Sequence, residues 1–467
     1  MTVSTRPPPA YPGRATLAVE ALKACNRLSR ALGRGSGTVA GGRVGLLLDP
    51  GLLATLAGGR RVALVSGTNG KTTTTRMLSA ALVDGSDRVV ATNDTGANMP
   101  AGHVSALAGS PPGSDAVLEV DESYLGRLLD ETAPRVVVLL NLSRDQLDRI
   151  AEVRILADRW RAALSVGDGS VADGSAADGH PGDDGTVPDR RNVVVVANAD
   201  DPMVVWAATP AADVRWVAAG QVWHDDSVAC PACGGGIVFE PGGGWACDRC
   251  EFARPSCDAW IDGADLVLSD GTRGALEIGL PGWFNRANAA MAAVAAPFMT
   301  DPGDRLTPLL ALGRMAGVGE VAGRFGTKTH HGGRVRTLLA KNPAGWTAIF
   351  DLLEEGGAPR TPVVLSINAR IADGLDTSWL WDVPFERLAG RRVVATGDRR
   401  LDLAVRLRYA EVAATVVSDP LAAVDEALRM AREGDAPDQS GPVGSTPGAT
   451  VEFLGNYTAF ADLAGRL

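Results

Sequence analysis

The chain alternates short apolar runs with segments of helical character. Residues 62–66 (VALVS) are apolar at consecutive positions rather than at every second one. The run breaks at Gly67 and resumes at Lys71 as a threonine-rich helix. Similar runs fall at residues 89–92, 116–120, 135–141 (with VVVLLN) and 192–197 (within NVVVVAN). Strands apolar on both faces suit a parallel sheet covered by helices on either side. Residues 15–57 read as mostly helical, ending at the glycine pair that begins at Gly58. A helix is expected near residues 285–299, and TDPGDRL from Thr300 reads as a linker. A second α/β unit follows, with strands near residues 336–339, 363–367, 392–396 and 451–454. The pattern predicts an α/β protein with one domain at about 1–300 and another at 307–467. Two stretches, 166–190 and 433–450, are dominated by Gly, Asp, Ser and Pro. They cannot bury enough apolar surface to order themselves and read as mobile surface loops.

Composition narrows this picture. A 467-residue chain, 45% hydrophobic and 21% charged, has the profile of a globular protein of two or three domains. Its net charge of −10 argues against general affinity for nucleic acid or an anionic membrane surface. No apolar run approaches the ~20 residues that span a bilayer. The N-terminal MTVSTRPPPAYPGRATL lacks the apolar stretch of a secretory signal, so a cytoplasmic location is expected.

The strand at 62–66, the glycine turn and the helix after it form the layout of a phosphate-binding loop. Gly67, Thr68, Asn69 and Gly70 would turn backbone N–H groups toward an anion at a helix N-terminus. Lys71 would reach the β/γ-phosphates, and Thr72, followed by Thr73, would present a hydroxyl to Mg²⁺. A full Walker A pattern has glycine where this chain has Val65, leaving the shorter G-x-x-G-K-T. The acidic cluster Glu119-Val120-Asp121-Glu122 ends a neighbouring apolar run, which suits Glu119 or Glu122 to Mg²⁺ coordination. Asn93, Asp94, Gly96 and Asn98, and the run from Asn141 to Arg149, end other strands and would crowd polar groups around the same edge.

Six cysteines are too few and too clustered for a disulfide scaffold. Cys230-x₂-Cys233 and Cys247-x₂-Cys250, within an insert at about 216–260, have the spacing of a four-thiolate Zn²⁺ ribbon. Four protein ligands close the site, so its expected role is structural. Cys257 is a fifth nearby cysteine, and Cys25 reads as an apolar residue.

The motifs GTNGKTT, EVDE, NLSRDQLDR, NADDP (198–202), GWFNRANAAMAA (282–293) and AGRF (322–325) occur in an order that resembles the Mur ligases. That family joins a carboxylate to an amine through an ATP-derived acyl-phosphate. The resemblance implies a Mur-ligase-type P-loop ATPase domain followed by a Rossmann-like C-terminal domain. It assigns Lys71 and Thr72 to phosphate and Mg²⁺, Glu119 to the metal, Asn285 and Asn288 to the adenine side, and Arg324 to a nucleotide contact. The chain departs from ordinary members. Gln146 replaces the histidine of R-D-H-L-D, Phe284 replaces that of G-x-H-N, and no counterpart of the carbamylated lysine is evident. The sequence before Gly67 leaves little room for a UDP-binding domain.

The cysteine ribbon and the C-terminal KNPAGW, SINARIADGLDTSWLWD, TGDRRLDLAVRLRYA and NYTAF resemble the MurT branch of the family, the ATP-using subunits of lipid II isoglutaminyl synthase. This resemblance implies amidation of the D-glutamate α-carboxylate of lipid II at the inner face of the membrane. The ammonia would come from glutamine through a GatD-type glutaminase in a heterodimer. The chain itself shows no Cys-His glutaminase constellation. The branch is expected to lend the partner's histidine an aspartate: Asp376 first, then Asp373, with Asp351 and Asp382 behind. The alternatives are a Mur-type ligase adding an amino acid to a UDP-linked precursor, and a non-catalytic ATP-binding scaffold.

Overall fold

Val, Leu and Ala fill the apolar runs, and the strands they form are covered on both faces. In β1 (Val62–Ser66), β3 (Asp115–Val120) and β4 (Val136–Leu139) every residue is buried. At about 1.5–3 kcal/mol for each fully buried large aliphatic side chain, this burial drives formation of the sheet. The structure is a computed structural model. It describes all residues except 1–10, 33–36, 84–87, 94–96, 145–152, 166–191, 222, 302, 320–324, 356–360 and 435–448. The compositional loop at 166–190, most of that at 433–450, and Arg324 therefore lie outside the described residues.

Two units are present. The first comprises Met1–Leu142, Val153–Ile278 and Phe284–Val318. Besides β1, β3 and β4, its sheet contains β2 (Val90–Thr92), β5 (Val194–Asn198), β6 (Asp213–Ala218), β9 (Ala259–Asp262), β10 (Asp265–Leu268) and β11 (Arg273–Ala275). The order is β11-β10-β9-β6-β5-β4-β1-β3-β2. All neighbours from β2 through β9 pair in parallel, and β9, β10 and β11 pair antiparallel at one edge. The expected N-terminal helical region resolves into helices Gly13–Ala31, Thr38–Leu48 and Leu52–Ala57. Helix Pro308–Met315, directly after the compositional linker, belongs to this first unit, where Arg314 donates to the Ala81 carbonyl at 3.1 Å. Between β6 and β9 sits a separate hairpin of β7 (Ile237–Phe239) and β8 (Trp245–Cys247).

The second unit comprises Ser143–Glu152, Gly279–Trp283 and Gly319–Leu467. Its six strands are β12 (Phe325–His330), β13 (Gly333–Leu339), β14 (Val363–Ser366), β15 (Val393–Thr396), β16 (Ala414–Val416) and β17 (Thr450–Gly455). They run in the order β12-β13-β17-β14-β15-β16, parallel except for the β12–β13 hairpin. Val335, Val364, Val394 and Phe453 from this sheet pack with Val424, Ala427 and Leu428 of helix Pro420–Gly434 to form its core.

Candidate functional site

The parallel strands of the first unit end on one edge of the sheet, where polar residues replace apolar ones. β1 leads into Gly67, whose φ is +142°, and Gly70, whose φ is +89°. Both glycines are required sterically. A Cβ on Gly67 would lie 2.8 Å from the Leu140 Cβ, and one on Gly70 would lie 2.4 Å from the Asn288 Oδ1. Asn141, at the exit of β4, holds the loop. Its carbonyl accepts from the Thr68 N–H at 2.9 Å, its Oδ1 from the Asn69 N–H at 2.9 Å, and its Nδ2 donates to the Asn69 carbonyl at 3.0 Å. Helix Lys71–Leu82 then starts with Gly70 in a left-handed conformation and no side-chain cap. A helix start of this kind suits an anion, both through its N–H groups and through its dipole.

Lys71 is buried, with Nζ 2.5 Å from the Gly67 carbonyl oxygen and 3.0 Å from Glu122 Oε1. Thr72 donates its hydroxyl to Glu119 Oε2 at 2.6 Å. The two glutamates of the EVDE cluster thus have different neighbours: Glu119 faces the Thr72 hydroxyl and Glu122 the Lys71 ammonium. Glu119 is itself fixed through its backbone. Asn93 donates to the Glu119 carbonyl and accepts from its N–H, both at 2.8 Å. The Nε2 of His103, on helix Pro100–Ala108, sits 2.8 Å from the same carbonyl. Full burial drives the His103 pKa down to about 4, so the ring is neutral and Nε2 is the donor.

At the end of β5, Asn198 Nδ2 donates to the Leu140 carbonyl at 2.9 Å. Asp201 caps helix Pro202–Ala208 and accepts from the Leu142 N–H at 2.8 Å. Burial raises the Asp201 pKa to about 6 against these N–H bonds. Asn285 and Asn288 are both buried on helix Trp283–Ala295. Asn288 lies against the Gly70 turn, the end of the loop suited to phosphate.

The four cysteines of the hairpin region converge. All four Sγ atoms lie within 4.8 Å of one another, with Cys230–Cys250 at 3.7 Å and Cys233–Cys247 at 3.5 Å. A tetrahedron with Zn–S bonds of about 2.3 Å has edges of about 3.8 Å, so the cluster fits zinc. The Gly235 and Arg249 N–H groups point at the sulfurs of Cys233 and Cys247 at 3.4 and 3.3 Å. Beneath the cluster, Ile237 and Trp245 pack with Val205, and Trp245 Nε1 donates to the Ala199 carbonyl at 2.9 Å. Cys257 is outside the group, with its thiol directed at the Pro255 carbonyl.

In the second unit, the four aspartates have different surroundings. Asp373 is buried and accepts from the Thr458 N–H at 2.9 Å and from the Thr458 hydroxyl. Asp351 is held by Arg387 at 2.7 Å, and Asp382 closes the 3₁₀ turn Ser378–Asp382. Asp376 is exposed and lines a cleft of about 300 Å³ with Leu375, Thr377, Ser378, Leu380, Trp381, Arg399 and Asp402. The Ser378 N–H and hydroxyl hold its pKa below the usual carboxylate range.

Residues 65–159 match the family described as the Mur ligase middle domain, and residues 339–460 match the MurT ligase C-terminal family. The lipid II isoglutaminyl synthase subunit MurT of Streptococcus pneumoniae is 30% identical over 408 residues, spanning 82% of this chain and 83% of that protein. The Staphylococcus aureus subunit of the same name is 28% identical, spanning 86% and 89%. The chain belongs to the MurT family. Solved structures share the fold: MurF of Acinetobacter baumannii (TM-score 0.56, 15% identity, 91% of this chain and 80% of that one) and a pseudomurein peptide ligase of Methanothermus fervidus (0.57, 18%, 87% and 79%). A folylpolyglutamate synthase of Mycobacterium tuberculosis is also similar (0.56, 17%, 95% and 98%).

As a MurT-family chain it is a Mur-type ligase. The structure brings Gly67, Gly70, Lys71, Thr72, Glu119, Glu122 and Asn288 together at one sheet edge and gathers the four cysteines into a separate cluster. His103 was not among the residues singled out for the site. A lone histidine on an apolar helix gives no signal that it reaches the strand carrying Glu119. No described helix of this MurT chain is long and apolar enough to cross a membrane.

Proposed function

We propose that this chain is the synthetase subunit of a lipid II isoglutaminyl synthase, amidating the α-carboxylate of D-glutamate in the stem peptide of lipid II at the inner face of the membrane. ATP is bound by the loop Gly67–Thr73, with Lys71 leaving its internal partners to meet the phosphates, Asn285 on the adenine side, and Asn288 supporting the turn. Thr72 and Glu119 would hold Mg²⁺, which would supply neutralising charge to the transferring phosphoryl group. A carboxylate oxygen of the substrate attacks the γ-phosphorus and the bond to ADP breaks. Ammonia then attacks the acyl carbon, phosphate departs with the C–O electron pair, and nitrogen gives up its one surplus proton to solvent. Lys71 and the loop amides stabilise the charge that develops on phosphorus-bound oxygens.

Ammonia is supplied by a GatD-type glutaminase, and Asp376 orients the partner's catalytic histidine as the third member of its triad. Exposure supports this choice. Asp376 faces solvent among apolar neighbours that are themselves unusually exposed, including Leu375 at 64% and Trp381 at 54%. Surface of this kind suits a partner protein. Zn²⁺, held by Cys230, Cys233, Cys247 and Cys250, stabilises the ribbon and takes no part in the chemistry.

The observation that carries the ligase reading is the buried Lys71–Thr72–Glu119 group behind a glycine turn, in a chain that MurT relatives match over 82% and 86% of its length. The test is co-purification with the glutaminase, then mass analysis of lipid II after glutamine and ATP. Amidated lipid II with stoichiometric ADP supports the proposal. ADP release that depends on an amino acid and a UDP-linked precursor instead would replace it with the amino-acid-ligase reading.

A further inference from the structure

In the second unit, the β12–β13 hairpin carries His330 and His331 against Asp425 of helix Pro420–Gly434. His330 Nε2 lies 2.9 Å and His331 Nδ1 lies 3.3 Å from the same oxygen, Asp425 Oδ1. All three potential ligand atoms fall within 4.8 Å of one another. Sequence adjacency does not by itself produce this. On an extended strand, consecutive side chains point to opposite faces. Here His331 takes a left-handed conformation with φ +47°, which turns its ring back onto that of His330. The two rings stack with centroids 4.1 Å apart and planes 19° apart. Arg432, about two turns beyond Asp425 on the same helix, fixes this turn by donating to the His331 carbonyl at 2.7 Å.

The geometry points to a second metal site, a His330–His331–Asp425 centre that takes a divalent transition metal such as Zn²⁺ or Ni²⁺. Metal–nitrogen and metal–oxygen bonds of about 2.0–2.1 Å give ligand–ligand edges of about 3.3 Å, close to the 2.9 and 3.3 Å at which the two ring nitrogens lie from Asp425 Oδ1. Two imidazoles and one carboxylate select these metals over Mg²⁺ and Ca²⁺, which prefer all-oxygen sets. His331 is 70% exposed, so the site opens to solvent and leaves coordination positions for water. Bound metal would pin the hairpin to the helix and stabilise the second unit by mass action.

The test is equilibrium dialysis of the full chain, with the cysteine ribbon already saturated with Zn²⁺, against Ni²⁺ and in parallel against further Zn²⁺. One additional equivalent is expected. His331→Asn and Asp425→Asn should each weaken it by at least about tenfold (about 1.4 kcal/mol) while ribbon zinc stays at one per chain. Asparagine tolerates the left-handed conformation, so the first variant keeps the turn. Added Ni²⁺ should raise the melting temperature of the parent and not of either variant. Absence of a second equivalent in the parent, or equal binding by the variants, overturns the site.

Discussion

The buried histidine behind Glu119 makes a quantitative claim about pH. His103 titrates at about 4 in the folded protein because burial disfavours the imidazolium, against about 6.5 in an unfolded chain. Between those values the unfolded state binds the proton and the folded state does not. Stability therefore falls as pH falls, beginning below about pH 6.5 and ending near pH 4. The difference of about 2.5 units corresponds to about 3 kcal/mol, of which about 2 kcal/mol is lost between pH 7 and pH 5. Asp201 works in the opposite direction. Its folded pKa of about 6 lies above the unfolded value, so the folded state takes up the proton first and stability rises as pH falls from about 6 to 4. The two slopes largely cancel over that range, so the parent's curve alone does not report on His103. The informative measurement is urea unfolding of the parent and of His103→Gln at pH 7 and pH 5. The amide of Gln keeps a donor for the Glu119 carbonyl but has no proton to gain. The variant should gain about 2 kcal/mol relative to the parent on going to pH 5. Parallel curves would refute the assignment of a buried neutral ring.

Three further outcomes follow from the geometry. Gly70→Ala forces a side chain into a left-handed turn and against Asn288, at a cost of about 1–3 kcal/mol; nucleotide affinity measured by calorimetry should drop well beyond the change in melting temperature. Asp373→Ala leaves the part-buried Thr458 N–H without its acceptor and should destabilise by about 1–3 kcal/mol in denaturant titrations, whereas Asp376→Asn should unfold normally and abolish glutamine hydrolysis in the assembled complex. Chelation of zinc should expose Trp245, read as a red shift and loss of its fluorescence, while the circular dichroism of the two sheets persists; an unchanged spectrum with no zinc by elemental analysis would remove the metal from the ribbon.

The parallel centre of each sheet was legible because its strands are uniformly apolar, and β1, β3, β4 and β5 sit where those runs fall. The edges were not. β10 and β11 (DLVL and RGA) are short, part polar and lie beyond the cysteine insert, so no periodicity marks them. Their pairing is decided by the neighbouring strand. β12 (FGTKTH) is a polar edge strand of the same kind. The loop Gly67–Thr73 and the cysteine ribbon were readable because each is a local motif whose spacing encodes its geometry. Among the aspartates of the second unit, the sequence ranks Asp376 ahead of Asp373 but holds no physical ground for the order, since the two lie three residues apart in one polar loop. What separates them is the tertiary partner Thr458, 85 positions beyond Asp373, which claims one carboxylate and leaves the other on the surface.

The same reasoning applies at the ligase site, where polar residues crowd every strand end but do different work. Asn93, Asn141, Asn198 and Asp201 each bond to backbone groups of a neighbouring strand or loop. An unsatisfied buried N–H or carbonyl costs about 1–3 kcal/mol, so these side chains close hydrogen bonds that the sheet cannot make where its strands stop. Their role is to hold the edge rigid, as a phosphate-binding turn requires. Lys71, Thr72, Glu119 and Glu122 are of another kind, because their charged or hydroxyl groups pair with one another across the same turn. In the function proposed above, a triphosphate and its metal would exchange those internal pairs for charges of their own, Lys71 gaining phosphate in place of Glu122. On that proposal the chemistry would rest on the few groups whose partners can be replaced, and the asparagines around them would supply the frame in which the replacement is possible.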